Sequence, residues 1–288
     1  MTKKFWKRLA VIVAVVMIIG LAGFANAFMG NPISENLAKN TAEKILETEY
    51  KNKDYKIDDV NYSFKDGYYH ARISSPTSID SHFYLSINMF GQLKYDSYER
   101  SVTDGYNTAD RLNEDYRKLT DPIIEKLRLK YKGDIGYGRL EIRPKESIKY
   151  EENSSEINYD IPKYVIIQED LELDKLYDIR EFGKNVGYIT FYVDIDNVTY
   201  ENAANILLDI KREFEDAGAP FKAIDLTLRS AIVETNNKNQ EQIDILEFNS
   251  DDIYKDGLVD RVKKANKDTK EYYAKLDKQK LEEEKYAE

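Results

Sequence analysis

A group of oxygen-bearing side chains is the clearest candidate for metal chemistry in this sequence. Asp194, Asp196 and Asn197 are followed by Glu201, and oxygens at this spacing are typical of the opening of a calcium-binding loop. The central glycine and the terminal glutamate of an EF-hand loop are missing. The group also lies between a predicted strand and a predicted helix, where side-chain oxygens cap free N–H groups and the helix dipole favours negative charge. We therefore interpret these residues as a helix cap, with Thr199 at the N-cap position.

The only two histidines, His70 and His82, lie on the polar faces of neighbouring predicted strands. Such a pair could bind a metal ion or perform acid–base chemistry. A hairpin centred near Ser78 places residue 70 opposite residue 86, which leaves His82 four residues along the partner strand. At about 3.3 Å per residue this is roughly 13 Å, too far for two nitrogens to share one ion. Only a different strand register would bring the two rings together.

Four neighbouring residues supply the side-chain types of a hydrolase triad: Ser78, Asp80, Ser81 and His82. A triad is defined by geometry rather than adjacency, and neighbours on an extended strand point to opposite faces. We therefore interpret this stretch as a turn.

Cysteine is absent from the sequence, which excludes a thiol nucleophile, a disulfide framework and a thiolate metal site. The sequence contains no nucleophile motif, glycine-rich phosphate loop or metal-ligand spacing. We therefore predict no catalytic residue, no cofactor-binding residue, no metal ligand and no cofactor.

The charge balance argues against nucleic acid as a partner. All four basic residues of the first thirty positions precede residue 9, so residues 31–288 carry 39 basic and 53 acidic residues, a net charge of −14. Nucleic-acid binding requires a basic face that neutralises phosphates. An acidic surface instead suits a cationic partner.

The first thirty residues predict a membrane anchor. The apolar run of residues 9–28 contains no charged residue, and twenty helical residues span about 30 Å, the thickness of the hydrocarbon core of a bilayer. The positive-inside rule then places the N-terminus in the cytoplasm and everything after Gly30 outside it. The alternative is a signal peptide cleaved after Ala25-Asn26-Ala27, which would leave a secreted protein.

After the anchor, residues 31–131 predict a first α+β unit. Ser34 is a candidate N-cap for an amphipathic helix, and alternating strands follow over residues 57–64, 67–74, 82–90 and 93–98. Asp66-Gly67 is a strong signal for a hairpin with a two-residue turn. Two helical stretches then follow, the second restarting at Asp121-Pro122.

Residues 132–278 predict a second α+β unit, followed by a charged tail over residues 279–288. The clearest pattern is a strand over residues 187–195, a helix over 199–217 and a strand over 221–230. Residues 144–162 predict an exposed loop, 163–168 a short strand, 174–182 a short helix and 236–240 a hairpin tip. The predicted fold class is therefore α+β: an N-terminal transmembrane helix and two small units of antiparallel or mixed sheet packed with helices.

Three stretches carry a family resemblance: the opening NPIS, the segment SFKDGYYHARISSPTSIDSHFYLSI, and ILLDIKREFEDAGAPFKAIDLTL, in which AGAPFKAIDLTL is the most specific part. They resemble the YfjL-like proteins of spore-forming and related Gram-positive bacteria. The resemblance covers nearly the whole chain after residue 30. It implies a membrane-anchored, extracytoplasmic and uncharacterised protein of two units, and it assigns no catalytic residue.

Two functions from different classes fit the sequence. The first is a non-enzymatic binding or regulatory module for an envelope protein or peptide. The second is an extracytoplasmic hydrolase that uses dispersed carboxylates such as Asp194, Asp196 and Asp225. A pocket with paired carboxylates of displaced pKa would favour the enzyme. A tyrosine-rich exposed groove would favour binding.

Overall fold

A computed structural model describes residues 3–132, 135–152, 163–230 and 241–287. The chain divides into an N-terminal unit, residues 1–108 with 172–174, and a C-terminal unit, residues 109–171 with 175–288. The division falls inside a helix, between residues 108 and 109, rather than at the expected residue 131. Each unit has its own four-stranded sheet and its own buried core.

The N-terminal unit begins with two helices, continues with an antiparallel sheet and ends with a single π-helical turn. Its elements are α1 Lys3–Met29, α2 Pro32–Thr48, β1 Lys56–Ser63, β2 Tyr68–Ser74, β3 His82–Ile87, β4 Leu93–Asp96 and the π-helical turn Glu99–Thr103. The strands lie in the order β1-β2-β3-β4. Helix α2 contacts the first three strands and buries Ala38, Ala42 and Ile45 in the same core as the alternate residues of β2 and β3.

Three local predictions in this unit need correction. The N-cap of α2 is Asn31 rather than Ser34, because the Asn31 side chain accepts the Ser34 N–H at 2.8 Å and Pro32 occupies the first helical position. The hairpin at Gly67 (φ +75°) has a four-residue connection, since Ser63 pairs with Tyr68. Strand β3 ends at Ile87 rather than residue 90, which leaves Met89 42% exposed.

The C-terminal unit contains a four-stranded mixed sheet, a two-stranded sheet and most of the helices. Its elements are α3 Tyr106–Tyr131, β5 Gly136–Leu140, β6 Ile142–Arg143, α4 Lys145–Glu152, β7 Ile166–Ile167, a 3₁₀ turn Gln168–Asp170, α5 Ile179–Val186, β8 Gly187–Ile195, α6 Tyr200–Asp216, β9 Ala223–Ser230, β10 Gln242–Asn249, a 3₁₀ turn Ser250–Asp252 and α7 Leu258–Ala287. The first three residues of α3 belong to the N-terminal unit. The order of the large sheet is β10-β9-β8-β5.

The predicted strand–helix–strand of this unit is present as β8, α6 and β9, with β8 and β9 parallel. Both neighbouring pairs, β9 with β10 and β5 with β8, are antiparallel. Alternate residues of β8 and the apolar stripe of α6 enter one core, among them Phe191, Ile206, Ile210 and Phe214. The amphipathic pattern therefore identified this core correctly.

Elsewhere the tertiary structure overrides local signals. Helix α3 runs unbroken through Pro122 instead of restarting there, because residues on both sides of the proline, such as Tyr116 and Leu127, are buried. The loop predicted over residues 144–162 contains helix α4. Residues 153–162 lie outside the described chain, as does the hairpin tip predicted at residues 236–240. The short strand predicted over residues 163–168 is β7. The short helix predicted over residues 174–182 is α5, which begins later, at Ile179, and ends at Val186.

The N-terminal apolar run forms helix α1. A membrane span needs about 20 consecutive apolar residues in one helix. In the described part of the chain, no helix satisfies both the length and the apolar character that crossing a membrane requires. The predicted transmembrane helix, single-pass topology and cell-membrane localisation are therefore wrong.

Candidate functional site

The candidate site begins at an irregularity between β9 and β10. The pairing register shifts between Ile245 and Phe248, which is the signature of a bulge. Within it, Glu247 adopts a left-handed backbone with φ +50°, a conformation that is costly for a residue with a Cβ. Its N–H donates to Asp225 Oδ1 at 2.7 Å. Asp225 on β9 thus fixes the backbone that carries the Glu247 side chain.

Both carboxylates line a pocket on the C-terminal unit. The pocket has a volume of about 650 Å³, within the range of small-ligand sites. Strands β5, β9 and β10 and helix α7 contribute residues to its wall, including Arg139, Leu246 and Tyr272. Because Ile224, Leu226 and Leu228 of β9 are buried in the core, strand alternation places Asp225 on the opposite face, where the pocket lies.

The basic side chains of the pocket are largely engaged by other groups. Glu141, 1% exposed, accepts from the Nε atoms of both Arg139 and Arg143. Lys264 pairs with Asp268 at 3.2 Å along α7. In the described chain, by contrast, neither Asp225 nor Glu247 forms an ion pair. The two carboxylates therefore have no salt-bridge partner among the described residues, although the charge of Lys163, which also lines the pocket, acts on Glu247.

Burial raises the pKa of Asp225 and of Glu247 above their ordinary values. For Glu247 the charges of Asp225 and Glu141 add to this rise, whereas a hydrogen bond from the Lys163 backbone and the charge of Lys163 oppose it. For Asp225 the Glu247 N–H and the charge of Arg139 lower the pKa, whereas Glu141 raises it. Two like charges in a partly dry site make each carboxylate harder to ionise.

These shifts predict a pH-dependent gain in stability for Glu247→Gln. A carboxyl whose folded pKa lies above its unfolded value stabilises the protein below the unfolded pKa, and this contribution is lost as pH rises through the folded pKa. The substitution should therefore raise the free energy of unfolding at about pH 7.5 and give no gain near pH 4. Urea denaturation of both proteins at the two pH values measures the difference.

Glu241→Gln is the matched control, because Glu241 is exposed and immediately precedes β10. It should change stability little at either pH. An equal gain from the two substitutions would show that surface charge, rather than the pocket, is responsible.

The sequence-predicted carboxylates do not converge on this pocket. Asp225 pairs across the sheet with Thr190, and Asp194 lies four residues further along β8, roughly 13 Å away. Asp194 Oδ1 instead accepts from Arg229 Nε at 2.6 Å, and Asp196 is exposed. A hydrolase built from Asp194, Asp196 and Asp225 therefore lacks the required geometry.

The junction that contains Asp194 and Asp196 is a helix cap, as expected. The Thr199 side chain accepts the Asn202 N–H at 3.2 Å. Asn202 Nδ2 in turn donates to the Asn197 carbonyl at 2.8 Å. In the described residues no group of acidic or histidine side chains is arranged to hold a metal ion.

The predicted histidine geometry is confirmed, because His70 pairs with Ser86 and His82 with Ser74. A contact that the sequence did not reveal is that His70 bridges two polar groups. Its Nε2 lies 2.9 Å from Asp66 Oδ2 and its Nδ1 lies 3.0 Å from Ser86 Oγ. These are the residue types of a triad, but Ser86 is only 4% exposed, so its hydroxyl is not presented to a substrate.

The stretch of Ser78, Asp80, Ser81 and His82 is a structural turn, as predicted. Ser78 Oγ accepts the Ser81 N–H at 2.9 Å and donates to Asp174 Oδ1 at 2.7 Å. Asp80, 1% exposed, accepts from Thr108 Oγ1 at 2.9 Å. These bonds hold the turn and residues 172–174 within the N-terminal unit.

Sequence reasoning missed Glu247, although a signal was present. Ile243 and Ile245 alternate along β10, whereas the next buried apolar residue is Phe248 rather than residue 247. An alternation that slips by one residue indicates a bulge. Arg139 and Glu141, two residues apart on an extended stretch, were likewise not identified from the sequence.

Two family models match the chain. The YfjL-like N-terminal domain matches residues 4–97, and the YfjL-like C-terminal domain matches residues 115–263, which include Asp225 and Glu247. No curated protein and no solved structure matches the sequence significantly. Together the two matches cover most of the 288 residues, and the chain therefore belongs to the YfjL-like family.

Proposed function

We propose that this protein is a non-enzymatic binding module that takes a peptide segment of a partner protein into the pocket of its C-terminal unit. The observation that supports this most is the composition of the pocket. Basic side chains, acidic side chains and the tyrosines Tyr164 and Tyr272 line the same 650 Å³ space. Tyrosine and arginine are enriched where proteins recognise partners, whereas mixed charge sets orientation.

The placement of the pocket also supports recognition. Strands β5, β9 and β10 of its wall belong to one sheet, in which β9 and β10 are adjacent. The fourth element is helix α7, which packs on β10. Groups on such elements keep their geometry in the absence of ligand, which lowers the entropic cost of binding.

The test is a panel of labelled peptides of varied charge, measured by fluorescence anisotropy with the full chain. At least one class should bind, and Tyr272→Ala should weaken that binding because it removes part of the aromatic wall. Tyr273→Ala is the matched control, since Tyr273 is the next residue on α7, is 45% exposed and is not part of the pocket wall. Binding by no class, or equal loss in both variants, would contradict the proposal.

A second candidate, a hydrolase that uses a carboxyl pair, is favoured by one observation. Burial raises the pKa of both Asp225 and Glu247, and a protonated carboxyl near neutral pH can act as a general acid. We prefer binding because acid–base catalysis depends on environments that push the two pKa values apart, whereas burial here moves both in the same direction. Peptide cleavage, detected by mass spectrometry and lost in Glu247→Gln, would establish the hydrolase instead.

A further inference from the structure

We infer that the bound segment presents an organic cation, the ammonium or guanidinium group of a lysine or arginine side chain, to Asp225 and Glu247. This inference rests on the proposed function and names the ligand class of the same pocket. It is carried by the cavity itself, by the distribution of ion pairs around it and by the hydrogen bond that orients Glu247.

The distribution of ion pairs selects the sign of the ligand. Glu141 already engages Arg139 and Arg143, and Asp268 engages Lys264. Arg261 donates to three backbone carbonyl groups, those of Asp252, Tyr254 and Asp256. At every basic side chain of the wall except Lys163, an anionic ligand would have to compete with these contacts. A cation instead meets two carboxylates that have no ion pair in the described chain.

The energetics point in the same direction. The hydrogen bond from the Glu247 N–H to Asp225 and the one from the Lys163 backbone to Glu247 restore only part of the hydration that the two carboxylates lose on burial. The positive charges that act on the pair come from Arg139 at Asp225 and Lys163 at Glu247, and negative Glu141 acts on both. An entering cation would supply the missing charge and form charge-assisted hydrogen bonds, which are stronger than neutral ones.

The geometry assigns different roles to the two residues. Glu247 projects from a left-handed bulge position on β10, and the 2.7 Å bond from its N–H to Asp225 holds that backbone. We assign Glu247 as the direct contact to the cation. Asp225 contributes charge and also positions Glu247 through the backbone bond.

The experiment uses the full chain and four capped tripeptides that differ only at the central residue: lysine, arginine, norleucine or glutamate. Their dissociation constants are measured by NMR titration. The lysine and arginine peptides should bind at least about tenfold more tightly than the norleucine peptide, and Glu247→Gln should remove this difference. Glu241→Gln, outside the pocket, should leave it unchanged.

Variants of Asp225 separate charge from positioning. Asp225→Asn keeps an oxygen that can accept the Glu247 N–H, so it should lose less discrimination than Asp225→Ala, which removes both the charge and the acceptor. Circular dichroism confirms that each variant is folded. Equal losses in the two variants would overturn the positioning role.

The outcomes distinguish the inference from the proposed function. Binding of the norleucine or glutamate peptide in the pocket, with no preference for the cationic peptides, would overturn the cation inference and leave the binding module intact. Binding of none of the four peptides, together with failure of the wider peptide panel, would overturn both.

Discussion

Phe191→Ala should lower the free energy of unfolding of the C-terminal unit by about 3 to 5 kcal/mol. Phe191 is 0% exposed on β8 and belongs to the same core as Ile206 and Ile210 of α6. Its ring also lies against Gly136 of the neighbouring strand β5, where an added Cβ would come within 2.9 Å of the ring. Removal of the ring leaves a cavity that such surroundings cannot fill. Chemical denaturation followed by circular dichroism measures the loss.

Tyr192→Ala is the control, because Tyr192 points away from this core and is only partly buried beside Arg229. It should cost clearly less than Phe191→Ala. The opposite face of β8 is not fully exposed, since Tyr188 is 1% and Thr190 6% exposed. Equal losses at residues 191 and 192 would mean that the face of β8 opposite the core is buried along the whole strand.

Gly187→Ala should be the next most damaging change, at about 3 kcal/mol, because it overpacks a closed junction. Gly187 lies where α5 meets β8. A Cβ there would overlap the carbonyl oxygen of Gly183 and lie 2.5 Å from the Tyr116 hydroxyl. Tyr116 is 0% exposed and donates to the Pro220 carbonyl at 3.0 Å, so it cannot move aside without losing that bond. Urea denaturation measures the change.

Gly218→Ala provides a comparison in the same unit. Gly218 has φ +63°, and the nearest atom to an added Cβ is Arg180 Nε at 3.8 Å. Alanine there should cost about 1 kcal/mol of backbone strain without a clash. A loss at Gly218 as large as that at Gly187 would show that backbone conformation, rather than packing, dominates at both sites.

The sequence by itself determined the elements whose signals are local. Strand alternation and the helical stripe located β8, α6 and β9, because a period of 2 or 3.6 residues follows from backbone geometry alone. A hairpin centred near Ser78, also a local signal, set the register that places His70 opposite Ser86. Thr199 was identified as an N-cap because its contact, Asn202, is three residues away.

Local signals failed where a second part of the chain decides the outcome. Pro122 stays inside α3 because buried residues on both sides hold the helix together. Asn31 rather than Ser34 caps α2, and its backbone N–H is held by the Tyr69 hydroxyl at 2.7 Å. The apolar N-terminal run is a helix, yet the described part of it does not amount to a membrane span.

Only the tertiary structure could assemble the candidate site. Asp225 was one of three carboxylates named from the sequence. Its hydrogen bonding and its pKa depend on Glu247, which lies 22 residues away. They depend also on Arg139, whose strand β5 lies at the edge of the sheet opposite β10. Periodicity specifies which face a residue occupies, but not which strand lies beside it or where a bulge shifts the pairing. Burial and the pKa of a carboxyl depend on those neighbours, because desolvation and charge act through space rather than along the chain.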